Sequence, residues 1–220
     1  MSCLRLPIHL VDDEPAVLKA LSRLLRASGF EVSTYSSADD FIARRDNAAP
    51  GCLVLDISMP GRNGLALQEW LSRSGTPWPV IFISGKSDIP ISVRAMKAGA
   101  VDFLTKPVDA EALLRAIEVA HEREMEKQAR AAEINSIQAH LATLTARERE
   151  VLQHIVSGQL NKEVASDLGT VEKTIKVHRA RIMRKMAAPS LAALVRMAER
   201  VGIGSRVSSG GEMLQGQLPS

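Results

Sequence analysis

The sequence has few cysteines and no long apolar run, and each absence excludes a class of protein. Only two cysteines, Cys3 and Cys52, occur among the 220 residues, so a disulfide framework and a zinc-ligand spacing are both lacking. The first residues contain neither a long apolar segment nor a small-residue cleavage site, and we expect no secretory signal. No apolar run approaches the roughly 20 residues of a membrane span. We therefore expect a cytoplasmic protein without a membrane partner.

Charge is unevenly distributed along the chain, although the formal net charge is only +3. Residues 1–124 carry 14 basic and 16 acidic side chains, whereas residues 145–203 carry 11 basic and 6 acidic ones. This asymmetry predicts two domains with different partners, and a basic C-terminal domain attracts nucleic acid. A basic solvated surface has the same composition, so charge alone does not decide between the two interpretations.

Short apolar runs alternate with helical patterns through the first half of the sequence. Five of these runs predict β-strands at 7–11, 30–35, 52–56, 79–84 and 102–105. The runs 52–56 and 79–84 are nearly all apolar, as is typical of strands that are covered on both faces. Five strand–helix units in succession predict an α/β fold with a doubly wound, five-stranded parallel sheet in the order 2-1-3-4-5.

The second half of the chain is predicted to be helical throughout. Residues 119–142 contain no glycine or proline and predict a helical connector, which is either a solvated rod or part of a helix pair. We favour the rod, with a modest contribution to a dimer. Four further helical patterns follow, and Thr145 and Glu148 fit a capping box at the first of them. A short helix, a tight turn with glycine and a longer basic helix together indicate a helix-turn-helix.

Polar residues stand at or just after the carboxyl ends of four of the five predicted strands. The first strand is followed by Asp12 and Asp13, the third ends in Asp56, the fourth in Ser84, and the fifth is followed by Lys106. These residues converge at the carboxyl edge of the sheet, where three carboxylates repel one another unless a cation joins them. Oxygen ligands suit Mg²⁺. A nucleophilic Asp56, a metal, an ammonium and a hydroxyl are the groups needed for phosphoryl transfer to a carboxylate.

Each of these features also has a simpler structural interpretation. An Asp-Asp pair after a strand is often a helix cap, and a Lys-Pro pair is often a turn. The functional interpretation depends on five groups occurring at the correct strand ends in one order.

The longest basic helix has two different faces. One face predicts a core stripe, in which His178 is a packed structural residue rather than a ligand; its members are Val171, Ile175, His178, Ile182 and Met186. The other face combines basic side chains, which suit phosphates and guanine edges, with small apolar ones, which suit thymine methyl groups. We predict DNA contacts for Lys173, Lys176, Val177, Ala180, Arg181 and Arg184.

Several motifs carry a resemblance to one known family. The segments LVDDEPAV, LDISMPGRNG, FISGKSDIP and AMKAGAVDFLTKP resemble the receiver domain of two-component response regulators. The segments LTAREREVL, NKEVASDLG and TIKVHRARIMRKM resemble the LuxR-type helix-turn-helix. Together they resemble the FixJ/NarL family over nearly the whole chain. The resemblance implies a receiver at 1–121, a helical linker at 122–142, an all-α four-helix DNA-binding domain at 143–204 and a flexible tail at 205–220.

The resemblance also implies roles for single residues. Asp56 would accept a phosphoryl group from a sensor histidine kinase. Asp13, Asp56 and the backbone carbonyl of Ser58 would hold Mg²⁺, for which Mn²⁺ can substitute, and Asp12 would assist through water.

Three further residues would complete the receiver site. Ser84 and Phe103 would form the switch pair, and Lys106, in a cis Lys106–Pro107 bond, would bind the phosphoryl oxygens. Ser84 stands where threonine is commoner, and Lys86 lies close enough to affect the phosphoryl lifetime.

The resemblance further implies how the protein acts. Phosphorylation would produce a homodimer that binds double-stranded promoter DNA and regulates transcription. The resemblance favours activation, with RNA polymerase as a further partner. The helix at 190–200 would contribute dimer contacts through Leu191, Leu194, Val195 and Ala198. The protein would not be an enzyme, apart from slow loss of its own phosphoryl group.

Two other functions fit parts of the sequence. A phosphatase of the haloacid-dehalogenase type needs a second aspartate two residues after its nucleophile, and Ser58 is present there. A DNA-binding module that acts without phosphorylation usually lacks an acidic ligand or the lysine, and all of them are present here.

Overall fold

A computed structural model of the chain describes residues 6–45, 51–74, 78–85 and 89–203. The chain divides into two compact units, Met1–Gln128 and Ala129–Ser220. Lys86 and the predicted tail at 205–220 lie outside the described residues.

The first unit is built on a parallel β-sheet. Its strands among the described residues are β1 (Ile8–Val11), β2 (Val32–Tyr35), β3 (Cys52–Asp56), β4 (Val80–Ser84) and β5 (Asp102–Thr105). They lie in the order β2-β1-β3-β4-β5 and all pair in parallel. The predicted topology is therefore confirmed, and the predicted strand ends differ from the observed ones by no more than two residues.

Helices cover both faces of this sheet. They are α1 (Pro15–Ala27), α2 (Ala38–Arg44), α3 (Gly64–Arg73), α4 (Ile89–Lys97) and the first part of α5 (Ala110–Ala142). Leu53 and Leu55 of β3 pack in a core with Phe41 and Leu67. The alternate residues of β3, including Val54, pack in the opposite core with residues of α1 and α5. Since β3 is buried along both faces, its sequence is a continuous apolar run.

The loop after β3 brings the start of α3 very close to the end of β3. A Cβ atom at Gly64, the first residue of α3, would lie 2.5 Å from the backbone oxygen of Asp56. Gly61 in the same loop has a φ of +77°, which favours glycine. These two glycines allow α3 to begin directly beside the end of β3.

The second unit is helical. It contains the last part of α5 and the helices α6 (Ala146–Val156), α7 (Asn161–Asp167), α8 (Glu172–Lys185) and α9 (Leu191–Arg200). Ile137 of α5 is only 3% exposed and packs with buried side chains of α6 and α8. This end of the connector is therefore part of a packed core and not a solvated rod, because its apolar stripe meets an apolar partner.

Candidate functional site

The acidic residues meet at the carboxyl edge of the sheet. Val11 lies opposite Leu55 in the ladder, so Asp12 and Asp56, which follow them, lie side by side. Each of Asp12, Asp13 and Asp56 offers a carboxylate oxygen within 4.8 Å of the others. Asp12 and Asp56 are buried, at 1% and 3% exposure, whereas Asp13 is exposed. The predicted convergence of three carboxylates is thus present in the fold.

Lys106 enters this pocket from the end of β5. Its backbone N–H donates to the Ser84 carbonyl at 2.7 Å, which fixes the residue beside the end of β4. Its Nζ lies 2.9 Å from Oδ2 of Asp12 and 3.5 Å from Oδ1 of Asp56. The Lys106–Pro107 peptide bond is cis, as the resemblance implied.

For both Asp56 and Lys106, burial and the oppositely charged neighbours shift the pKa in opposite directions. Burial raises the pKa of Asp56, and the Lys106 ammonium opposes that rise while Asp12 adds to it. Burial by itself lowers the pKa of Lys106, but the carboxylates of Glu14, Asp12 and Asp56 outweigh burial and raise it. Lys106 therefore stays protonated at neutral pH, and its single positive charge faces several carboxylates.

The pocket is chemically suited to a hard cation. Oδ1 of Asp56 is buried, and apart from the 3.5 Å ion pair with Lys106 it accepts no hydrogen bond from the described residues. A bound cation would satisfy such an oxygen. The side chains that meet here all offer carboxylate oxygens, which suit cations such as magnesium and manganese better than softer metals. The pocket can therefore hold a metal ion next to the Asp56 carboxylate.

Glu14 is a fourth carboxylate at this edge, and the sequence did not single it out. Its Oε1 accepts a hydrogen bond from Nζ of Lys106 at 2.8 Å. It follows Asp13 directly, and its own N–H donates to Oδ1 of Asp12 at 2.8 Å. The only sequence signal was its position in an acidic triplet, because its partner lies 92 residues away.

The two residues of the predicted switch lie on neighbouring strands. Ser84 is 3% exposed at the end of β4, and Phe103 is half-buried on β5, where it pairs with Phe82 in the ladder. Phe103 packs against the core on the α2 and α3 face of the sheet. Ser58, whose backbone carbonyl is a predicted metal ligand, follows β3 and is exposed.

The predicted DNA-contacting side chains lie together on the exposed surface of α8. All six are exposed: Lys173, Lys176, Val177, Ala180, Arg181 and Arg184. On the opposite face Ile175, Ile182 and Met186 are fully buried. Lys176 forms an ion pair of 2.9 Å with Glu172, one turn earlier.

The core stripe of α8 differs from its prediction at one end. Val171 is 64% exposed, since it occupies the N-cap position before the helix begins. His178 is half-buried, and its Nδ1 has no hydrogen-bond partner among the described residues. The stripe that actually packs therefore begins at Ile175.

A partly buried ion pair joins α8 to the start of α6. The carboxylate of Glu148, which is 2% exposed, lies 2.6 Å from Nζ of Lys185. Glu148 also accepts the Thr145 N–H at 2.9 Å, and the Thr145 hydroxyl accepts the Glu148 N–H, so the predicted capping box is present. The Lys185 ammonium and the Thr145 amide lower the pKa of Glu148 to about 2. Lys185 thus anchors the C-terminal end of α8.

Helix α9 does not present all of the predicted dimer residues to the surface. Leu194 and Ala198 are each 1% exposed, and Leu194 packs in the core of the second unit. Leu191 is 43% exposed and Val195 is half-buried. The prediction is therefore wrong for Leu194 and Ala198, because the helix uses that side to cover its own domain.

No helix within the described ranges is both long and apolar enough to cross a membrane. The longest, α5, has charged side chains along most of its length.

Comparisons with known proteins match both units. The family described as "Response regulator receiver domain" matches residues 8–118, and the family described as "Bacterial regulatory proteins, luxR family" matches residues 142–198. Response regulator protein TodT of Pseudomonas putida F1 is 44% identical over 88% of this chain and 86% of its own length. Transcriptional regulatory protein FixJ of Rhizobium meliloti 1021 is 43% identical over 90% of this chain and 97% of its own length.

Among solved structures, the low-resolution structure of response regulator StyR is similar with a TM-score of 0.76 and 43% sequence identity. The similarity covers 89% of this chain and 99% of that one.

Proposed function

The chain belongs to the response regulators that join a receiver domain to a LuxR-type DNA-binding domain, and on this premise we propose that Asp56 is its phosphoacceptor. A receiver domain implies a sensor histidine kinase as partner, and the LuxR-type domain implies DNA binding. The observation that carries the proposal is the buried Asp56 carboxylate, with Lys106 3.5 Å away and two further aspartates beside it.

The proposed reaction transfers one phosphoryl group. A carboxylate oxygen of Asp56 bonds to phosphorus while the bond between phosphorus and the kinase histidine nitrogen breaks, and the electron pair of that bond stays on the imidazole. The product is an aspartyl phosphate, and slow hydrolysis returns the free carboxylate and inorganic phosphate. We propose no other enzymatic activity for the chain.

The same pocket is proposed to bind Mg²⁺, or Mn²⁺ in its place. Asp13, Asp56 and the backbone carbonyl of Ser58 would hold the ion, and Asp12 would assist through water. When bound, the ion supplies positive charge that stabilises the transferring phosphoryl oxygens. Its charge also offsets the repulsion among the three carboxylates.

Lys106 and Ser84 are proposed to recognise the phosphoryl group. The Lys106 ammonium is fixed beside Asp56 and stays protonated, so it can pair with a phosphoryl oxygen. The Ser84 hydroxyl can donate a hydrogen bond to another. A move of Ser84 toward the phosphoryl group would leave space that Phe103 can fill by turning inward.

The proposed consequence of this switch is dimerisation through α4, β5 and α5. Three apolar side chains of α4 support the proposal, since Ile89, Val93 and Met96 are 74%, 45% and 44% exposed. Their spacing of four and three residues places them on one face of the helix. Exposed apolar side chains that lie together are typical of an interaction surface.

A dimer would bring two DNA-binding domains to one promoter. We propose that α8 enters the major groove, with Lys176 and Val177 nearest the bases and Lys173, Arg181 and Arg184 on phosphates. Two linked domains bind two half-sites with added avidity. We further propose that the bound dimer activates transcription by contact with RNA polymerase, in the cytoplasm where promoter DNA is found.

The decisive experiment is incubation with acetyl phosphate and Mg²⁺. The wild-type protein should acquire one acid-labile phosphoryl group, and Asp56→Asn should acquire none. Asp39→Asn on the exposed surface of α2 is a matched control and should be labelled normally. Undiminished labelling of Asp56→Asn would contradict the assignment.

A further inference from the structure

Glu14 occupies the position at the start of a helix where a side chain normally bonds to the helix N–H groups, but its carboxylate bonds to Lys106 in the pocket instead. It is the N-cap residue of α1, directly before Pro15, and it makes no side-chain capping hydrogen bond. Aspartate, asparagine, serine and threonine are preferred at this position because their side chains bond to the helix N–H groups. A residue that departs from the helix-capping preference and makes a contact with a distant residue instead is typical of functional sites.

That distant contact competes with the buried carboxylates for one ammonium. Nζ of Lys106 lies 2.8 Å from Glu14, 2.9 Å from Asp12 and 3.5 Å from Asp56. The two aspartates are buried, but the side chain of Glu14 is 60% exposed. Glu14 is therefore the partner that Lys106 can release most readily when a phosphoryl oxygen arrives.

Glu14 also adds negative charge at the entrance to the pocket. Its Oε1 and Oδ1 of Asp56 contact the same ammonium, so they are separated by less than the two contact distances combined. A phosphodonor whose phosphorus reaches Oδ1 of Asp56 therefore lies within about that distance of the Glu14 carboxylate. Asp12 and Asp13 share a metal-binding pocket with Asp56, whereas the only described ion-pair partner of Glu14 is Lys106.

We propose that Glu14 is a specificity-determining residue that holds Lys106 and selects against small, multiply charged phosphodonors. This inference rests on the proposed phosphorylation of Asp56. A kinase domain can bring its phosphohistidine to the pocket with binding energy from a large interface, but a free anion has only its own charge. The Glu14 charge therefore slows the free dianion more than it slows a docked protein.

The size of the effect follows from Coulomb's law. Two unit charges about 6 Å apart in water repel each other with an energy that corresponds to roughly a threefold change in rate. For a unit charge and a dianion at the same distance, the energy corresponds to roughly a tenfold change. The effect should fall as salt is added, because exposed charges are screened over about 10 Å at 0.1 M ionic strength and about 3 Å at 1 M.

The test compares Glu14→Gln with Glu69→Gln. Glu69 is an exposed residue of α3 that pairs with Arg73, so both variants change the net charge equally. Initial rates of Asp56 labelling are measured with acetyl phosphate, which is a dianion, and with the singly charged phosphoramidate, at low and at high salt. In each labelling the phosphorus–oxygen or phosphorus–nitrogen bond of the donor breaks, and acetate or ammonia leaves.

We expect Glu14→Gln to label about three- to tenfold faster than wild type with acetyl phosphate at low salt. The gain should be smaller with phosphoramidate and smaller again at high salt, and Glu69→Gln should match wild type. The inference would be overturned if Glu14→Gln labelled at the same rate as wild type or more slowly. It would also be overturned if the gain in rate did not depend on donor charge and on salt. Absence of labelling in the wild-type protein would instead contradict the proposed phosphorylation of Asp56.

Discussion

The ion pair between Glu148 and Lys185 makes a quantitative prediction about the DNA-binding unit. Glu148→Gln keeps the size of the side chain and an oxygen that can accept the Thr145 N–H, but it removes the charge that faces Lys185. The pKa of Glu148 falls from 4.5 to about 2 in the folded protein. A shift of this size corresponds to about 3 kcal/mol at neutral pH. Because the Lys185 side chain is 30% exposed, solvent screens the pair and we expect a loss of about 1–2 kcal/mol.

The sequence offers a way to measure this loss in the intact chain. Both tryptophans, Trp70 and Trp78, belong to the first unit, so tryptophan fluorescence follows the unfolding of that unit. Far-ultraviolet circular dichroism follows the helices of both units. In urea, Glu148→Gln should shift part of the dichroism transition to lower concentration and leave the fluorescence transition unchanged.

The pH dependence of the same loss has a defined sign. Glu148 has a lowered pKa when folded, so its contribution is fully present above pH 4.5 and is lost as the pH falls toward 2. The difference between wild type and Glu148→Gln should therefore shrink between pH 7 and pH 3.5.

Glu150→Gln on the same helix is the control, because Glu150 is 52% exposed in its pair with Arg147 and should contribute less than about 0.5 kcal/mol. An unchanged dichroism transition in Glu148→Gln would refute the reasoning, as would a difference that does not vary with pH or an equal loss in Glu150→Gln.

Three further predictions concern the metal, the DNA and the switch. Asp13→Ala should abolish Mg²⁺ binding measured by calorimetry, because it removes one of three pocket carboxylates; tight zinc binding by the wild type would contradict an oxygen-ligand site. Lys173→Ala should weaken binding to specific and random DNA alike and flatten the salt dependence, whereas Lys176→Ala should mainly reduce discrimination; equal losses on both DNAs for Lys176→Ala would exclude base reading. Ser84→Ala should retain labelling yet fail to dimerise in sedimentation; identical oligomers of wild type with and without phosphodonor would disprove the dimer switch.

The residues of the receiver site could be predicted because a parallel sheet brings the ends of its strands to one edge. Asp12, Asp56, Ser84 and Lys106 are far apart in the chain, but each stands at the end of a recognisable apolar run. Once the strand order was inferred, their proximity followed without knowledge of any side-chain contact. The buried face of α8 was likewise predicted from its helical period, apart from Val171, where the helix had not yet begun.

The tertiary structure alone decided which charged residues pair and which side of a helix is covered. Glu14 contacts Lys106, and Glu148 contacts Lys185, across 92 and 37 residues, and no local pattern relates these positions. Leu194 lies on an apolar stripe of α9, but the stripe does not say whether it meets its own domain or a second copy. Periodicity identifies a face that has to be buried, whereas the partner of that face depends on how separate elements pack.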